Sequence, residues 1–209
     1  MARTAFDRLW SQIVTGELMP NERLVETDLA AQLGVGRAAV RTFLTRLEQE
    51  GLVVREPNRG ARVRLVTEAE AVEITQTRMV LEALAAREAA GHATRDEVAE
   101  MRAILAEMGE RLSAGELLLY SDGNARLHAL ILRASRHATA ARLVSGLKAQ
   151  TVRFQYRTVL VPGRPQHSYA EHTAIVDAID TGDADAAEAA MRHHLFHVTT
   201  TLRESRAQS

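Results

Sequence analysis

Apolar residues recur at helical spacing through the N-terminal third of the chain, and two short alternating stretches follow them. Helices are expected at 4–16, at 26–33 and from 36 or 37 to 50, and strands at 52–55 and 61–65. Glycines end the first two helices, and a turn at 56–60 joins the two strands. Three helices followed by a basic hairpin predict a winged helix-turn-helix domain over residues 1–66.

From Thr67 onward the chain becomes Ala-rich and its periodicity stays helical. Capping boxes mark helix starts at Thr67, Thr94 and Ser168, and Asp183 is a further N-cap. Helices are expected at 68–91, 95–113, 116–135, 138–160, 169–180 and 184–204. Because no strand pattern interrupts them, residues 67–209 are predicted to form an antiparallel all-α bundle of about six helices. The fold class is therefore mainly α.

Composition narrows the class of protein. Hydrophobic residues make up 46% of the chain but aromatic residues only 4%, which favours helix-on-helix packing over a β-sandwich. There is no cysteine, so disulfides and thiolate metal sites are excluded. The chain does not begin with an apolar signal core, and no stretch approaches the roughly 18 apolar residues of a membrane span. We therefore expect a cytoplasmic protein that does not contact a membrane.

Basic residues are concentrated where the pattern places a recognition helix. The net charge is −1, yet residues 35–64 hold seven arginines against three glutamates. Arg37 and Arg41 share a helix face, from which a guanidinium can fork onto guanine in the major groove. The alternative is that both arginines only solubilise the helix. The helix-turn-helix spacing and the basic hairpin favour double-stranded DNA as the partner. The candidate DNA-binding residues are Arg37, Arg41, Thr27, Gly36, Thr42, Asn58, Arg59 and Gly60.

These motifs carry a specific resemblance. Residues 8–65 resemble the winged helix of the GntR family of bacterial transcription regulators, with LAAQLGVGR at 29–37 and EGL at 50–52. The family usually has serine where this chain has Gly36 and glutamate where it has Thr42. The helical remainder resembles the FadR-type C-terminal ligand-binding (FCD) domain. The resemblance implies a homodimer on a palindromic operator.

Polar side chains also fall on apolar helix faces in the second region. His128, His172 and His194 do so on three helices, and Asn124 lies one turn before His128 on the same side. Three inward imidazoles sharing one divalent cation would satisfy them, and so would three separately hydrogen-bonded core histidines. Arg78 lies on another apolar stripe. A buried guanidinium needs an anion, which can be a bound ligand or an internal carboxylate such as Glu82.

The resemblance favours the metal interpretation. Many FadR-type domains have an Asp-x-x-x-His helix, a later His and another His 22 residues beyond, and His172 and His194 have that separation. Asn124 stands at the Asp position and offers a neutral, weaker ligand. The resemblance thus implies one divalent transition metal per chain, Zn²⁺ or Ni²⁺, held by Asn124, His128, His172 and His194. It also implies that Arg78 binds the carboxylate of a small organic acid effector beside the metal.

The patterns and the resemblance together predict a DNA-binding transcription regulator, a repressor rather than an enzyme, whose helical domain binds a small carboxylate. A regulator that senses only the metal is the alternative. A metalloenzyme fused to a DNA-binding module is disfavoured, since no carboxylate stands at the spacing of an obvious general base. No phosphate-binding loop or nucleophile elbow is present either.

Overall fold

The computed structural model describes residues 4–56 and 60–207, which divide into two compact units. The first unit holds the chain up to Thr67 together with Lys148–Val152, and the second holds the remainder. The boundary predicted after residue 66 lies one residue before the observed one. The helical periodicity of residues 138–160 gives no sign that Lys148–Val152 belongs with the first unit.

The first unit contains helices and a small antiparallel sheet. Its elements are α1 (Ala5–Val14), β1 (Arg23–Leu24), α2 (Glu26–Leu33), α3 (Arg37–Gln49), β2 (Val53–Glu56) and β3 (Gly60–Val63). The strands are antiparallel in the order β1-β3-β2. The sequence analysis misses β1, because a strand of two residues is too short to show alternation. The turn between α2 and α3 depends on Gly34, whose φ of 69° is the left-handed conformation that favours glycine.

The apolar faces of α1 and α3 meet in the core of this unit. Leu9, Val40 and Leu47 are fully buried there, at the helical spacing predicted from the sequence. Trp10 lies at the edge of this core, where its indole Nε1 donates to Glu50 Oε2 at 3.0 Å. Packing the inner face of α3 in this way leaves its opposite face open.

The second unit is a helical bundle. Its helices are α4 (Glu68–His92), α5 (Arg95–Ser113), α6 (Leu117–Ala134), α8 (Arg164–Asp180), α9 (Ala184–Ala207) and α7 (Ala138–Val159) except for Lys148–Val152. Alanines line the buried face of α4 and allow close packing against α9. Among the described residues, none of the helices combines the length and the apolar character of a membrane span.

Two helix starts test the predicted capping boxes in this bundle. At α5 the box is confirmed, since Thr94 Oγ1 accepts from the Glu97 amide at 3.2 Å and the Thr94 amide donates to Glu97 Oε2 at 3.0 Å. At α8 the box predicted at Ser168 is wrong. The helix begins at Arg164, and Ser168 is buried within it. Pro165 explains the early start, because the first turn of a helix tolerates its missing N–H.

Candidate functional site

The exposed face of α3 presents the predicted recognition arginines. Arg37 and Arg41 are both exposed and both reach Glu26 at the start of α2. Arg41 Nε donates to Glu26 Oε2 at 2.9 Å, and Arg37 Nη2 lies 3.5 Å from the same oxygen. The hydrogen bond from Arg41 is the main reason that the pKa of Glu26 is lowered. Exposed ion pairs contribute little to stability, so both guanidinium groups can exchange Glu26 for another anion at little cost.

Smaller polar groups surround this pair. Thr27, Gly36 and Thr42 are exposed, and Gly36 is the N-cap of α3 without a side chain to bond the first turn. Thr42 donates back to the Ala38 carbonyl at 3.2 Å, which is a bond within the helix. Arg55 of β2, which the sequence analysis overlooks, reaches the same helix by donating to the Thr45 hydroxyl.

The predicted wing tip is described only in part. Gly60 opens β3 with a φ of 86°, is exposed and pairs with Glu56. Asn58 and Arg59, the other two predicted wing residues, lie outside the described residues.

In the second unit, α6, α8 and α9 bring the three predicted histidines together. His128, His172 and His194 are buried, and one ligand nitrogen from each lies within 4.8 Å of the others. His128 Nε2 is 3.2 Å from His172 Nε2. Two imidazole nitrogens about 2.1 Å from one tetrahedral ion are about 3.4 Å apart, so the observed spacing fits two ligands of a shared ion.

Each of these imidazoles has a polar partner at its other nitrogen. His128 Nδ1 lies 2.6 Å from Glu82 Oε2 and His194 Nδ1 lies 2.7 Å from Glu171 Oε2. A carboxylate accepts, so Nδ1 of His128 and of His194 carries a proton, and in the neutral imidazole the Nε2 keeps its lone pair. His172 Nδ1 lies 3.5 Å from the Ser168 hydroxyl. Carboxylates that orient imidazoles in this way are typical of metal centres.

Burial also favours the metal-binding form of the imidazole. It lowers the pKa of His194 and so favours the neutral imidazole that can coordinate a cation. The sequence analysis finds no well-spaced carboxylate near the histidines, whereas the structure places Glu82 and Glu171 there. Both contact Nδ1 atoms and therefore orient the imidazoles.

Asn124 supplies an independent sign of a missing partner. Its Oδ1 is buried and has no hydrogen-bond partner among the described residues. An unsatisfied buried acceptor costs about 1–3 kcal/mol, which a bound cation would offset. Helix α6 runs unbroken through Gly123, and Asp122 is exposed, so Asp122 does not replace Asn124. The donor set of three imidazoles and one amide oxygen fits a transition-metal ion.

Arg78 pairs with a carboxylate of its own helix. Its Nε donates to Glu82 Oε1 at 2.8 Å, and its Nη2 lies 2.7 Å from the same oxygen. The structure thus shows the internal salt bridge, the second alternative left open by the sequence. Glu82 joins Arg78 on one side to His128 on the other.

Arg164 is the buried guanidinium that the sequence analysis misses. Its side chain is 8% exposed, and Nη2 donates to Glu171 Oε2 at 2.8 Å. Its Nη1 is buried without a partner among the described residues. Burial alone would raise the pKa of Glu171, but the bonds from His194 and Arg164 lower it to about 2, so this carboxylate stays charged. A free N–H beside a buried imidazole cluster is a candidate donor to a bound anion.

Comparisons with known proteins agree with this division of the chain. Residues 1–63 match the model of bacterial regulatory proteins, gntR family, and residues 73–197 match that of the FCD domain. A probable D-xylose utilization operon transcriptional repressor of Paenarthrobacter nicotinovorans is 30% identical over 193 residues, covering 90% of this chain and 83% of that protein. The transcriptional repressor RspR of Escherichia coli K12 is 24% identical, covering 92% of this chain and 84% of RspR.

Solved structures share the fold. The structure of E. coli McbR/YncC superposes with a TM-score of 0.79 at 20% identity, over 97% of this chain and 96% of that one. A putative GntR regulator from Rhodococcus sp. RHA1 gives a TM-score of 0.73 at 22% identity, over 95% of each chain.

Proposed function

The chain belongs to the GntR family of bacterial transcription regulators and carries an FCD domain, and we propose that it is a homodimeric repressor controlled by a small carboxylate. The convergence of three buried imidazoles carries the effector half of this proposal, together with Asn124 Oδ1, which lies one helical turn before His128 and has no partner among the described residues. The exposed arginine pair of α3 supports the DNA half. Two of the relatives, from P. nicotinovorans and E. coli, are named as repressors, which favours repression over activation.

For the DNA half, Arg37 and Arg41 would leave Glu26 and contact base edges or phosphates in the major groove. A homodimer would place two such helices about 34 Å apart on a palindromic operator. Thr27, Gly36, Thr42 and the wing at Asn58, Arg59 and Gly60 would position the domain through the phosphate backbone.

For the effector half, His128, His172, His194 and Asn124 would hold one Zn²⁺ or Ni²⁺ ion per chain. The bound ion supplies an electrophilic anchor for a carboxylate oxygen. Arg164, through its unpartnered Nη1, would donate to the second oxygen of that carboxylate. We give the anion-binding role to Arg164 in preference to Arg78, because Arg164 has a buried Nη1 with no partner among the described residues. The Arg164 Nη1, which has no partner in the part of the chain that the structure describes, also favours an anionic effector over a sensor of metal alone.

Metal content tests the effector site first. Untagged protein should hold close to one Zn²⁺ or Ni²⁺ per chain by elemental analysis, and His172→Ala should lose it. His92→Ala removes an exposed histidine elsewhere and serves as the control. No bound metal after reconstitution would rule out the metal site.

The anion is tested by thermal stabilisation with a panel of small hydroxycarboxylates and dicarboxylates. Arg164→Lys keeps a cation for Glu171 but lacks the free nitrogen, so it should abolish stabilisation by acids that protect the wild type. A response unchanged in Arg164→Lys and lost only in Arg78→Lys would return the role to Arg78.

DNA recognition is tested on an operator selected in vitro. Arg41→Lys keeps the charge but not the fork, so it should weaken operator binding by about 1–3 kcal/mol while non-specific binding is retained. Binding should also fall steeply with salt. Wild-type operator affinity in Arg41→Ala would refute the assignment of the recognition helix.

A further inference from the structure

The outer side of α9 carries a second group of metal-ligand side chains, distinct from the buried cluster. His193 and His197 are one helical turn apart, with ring centroids separated by 4.1 Å. Glu171 reaches them from α8, and one ligand atom from each of the three residues lies within 4.8 Å of the others. His193 is exposed and the His197 side chain is 40% exposed, so an ion can arrive from solvent.

This arrangement matches the chemistry of a chelate. Two histidines four residues apart on a helix direct their imidazoles to one ion, as in zinc sites built on a His-x-x-x-His helix. A carboxylate from a neighbouring helix provides a third ligand of a type that zinc accepts. Two nitrogens and one oxygen select divalent ions late in the first transition row, Ni²⁺, Cu²⁺ and Zn²⁺, over Mg²⁺ or Ca²⁺. We propose that Glu171, His193 and His197 form a second, outer binding site for such an ion.

The two oxygens of Glu171 separate the outer site from the inner one. Oε2 contacts His194 Nδ1 and Arg164, whereas Oε1 lies 2.6 Å from His197 Nδ1. The ordered inner contacts hold the carboxylate in place and direct Oε1 outward. An outer ion would take the position of the proton that Oε1 shares with His197, and the contacts of Oε2 would remain.

This inference does not depend on the proposed inner metal. The inner site uses His128, His172 and His194, and the outer site shares none of them. His193→Ala is the selective probe of the outer site, because the side chain is exposed and does not belong to the inner set of His128, His172 and His194. His172→Ala is the selective probe of the inner site.

The experiment is Zn²⁺ titration of the metal-free full-length protein against a chromophoric chelator, with folding of each variant checked by circular dichroism. The wild type should bind two equivalents, a tight one and a weaker one. In His193→Ala the affinity of the weaker equivalent should fall by at least about 100-fold. That exceeds the ~10–100-fold loss of affinity that is typical when a group that only hydrogen-bonds a metal ligand is removed. His92 also lies beside a glutamate but does not belong to either group of metal-ligand side chains among the described residues. His92→Ala should therefore bind Zn²⁺ like the wild type.

The outcomes separate the two sites. A single equivalent that survives in His172→Ala and disappears in His193→Ala would establish the outer site and remove the inner one. A single equivalent that is lost in His172→Ala and kept in His193→Ala would overturn the outer site. Two equivalents of unchanged affinity in His193→Ala would overturn it as well.

Discussion

Arg78→Ala tests whether the buried ion pair of α4 is structural. Arg78 and Glu82 are one turn apart, their side chains are 12% and 1% exposed, and Nη2 to Oε1 measures 2.7 Å. The substitution leaves the Glu82 carboxylate in the bundle interior, where it still contacts His128 Nδ1 through Oε2.

The size of the effect follows from burial. At 2.7 Å and an effective dielectric of about 20, two unit charges attract by about 6 kcal/mol before desolvation is subtracted. Removing one partner of a buried pair typically costs about 3–5 kcal/mol. Because His128 still bonds Glu82, we expect the lower end, about 3 kcal/mol. That corresponds to a fall of about 6–12 °C in Tm for a chain of this length.

Arg192→Ala is the matched control. Arg192 and Glu188 form another one-turn pair at 3.0 Å, but their side chains are 46% and 33% exposed, so we expect a change of at most about 1 kcal/mol. Both variants are unfolded in urea with a chelator present and followed by far-UV circular dichroism. Adding Glu82→Gln to Arg78→Ala should recover part of the loss, since it removes the stranded charge. If Arg78→Ala unfolds like Arg192→Ala, the reasoning is refuted and Arg78 is free to serve a ligand.

Three further predictions concern helix packing, capping and the inner site. Gly123→Ala should destabilise the protein by about 1–3 kcal/mol, because the new Cβ would lie 2.6 Å from a buried methionine side chain. The control Gly146→Ala places its Cβ where no atom lies within 4 Å and should stabilise the protein by about 0.5–1 kcal/mol. Equal Tm shifts in the two variants would contradict this. The bond from Arg136 lowers the pKa of Glu97, so its contribution is complete above pH 4.5 and is lost as the pH falls through the folded pKa. Glu97→Gln should therefore cost about 1 kcal/mol at pH 7 and less in acid; a deficit in urea midpoint that does not depend on pH would argue against the ion pair. Asn124→Asp should tighten Zn²⁺ binding in chelator competition by restoring an anionic ligand, and unchanged affinity would remove residue 124 from the site.

Periodicity predicts the helices well because each buries a continuous stripe. The apolar face of α3 and the stripes that carry His128, His172 and His194 are visible at helical spacing, and the structure brings the three histidines together. The start of α8 is missed because Ser168 has the form of a capping box. The Gly163-Arg164-Pro165 segment held the better signal, since proline in a first turn marks the beginning of a helix.

The partners of the histidines are harder to predict, because the spacing of residues along one helix shows which face is buried but not which residues of another helix it contacts. Glu82 shares the face of Arg78 and could be identified as its partner. Its second bond, to His128, depends on how α4 packs against α6. The burial of Arg164 and Glu171 likewise results from the packing of the bundle, so sequence alone leaves both looking like surface charges.

Trp10 gives the chain a built-in optical label. It is the single tryptophan of the sequence, and its indole bond to Glu50 lies wholly within the first unit. Tryptophan emission therefore reports on the winged helix, while far-UV circular dichroism is dominated by the long helices of the bundle. Following both signals through one denaturation experiment distinguishes the unfolding of the two units without an added label. Curves that separate would show that each unit melts on its own, and coincident curves would show that they melt together.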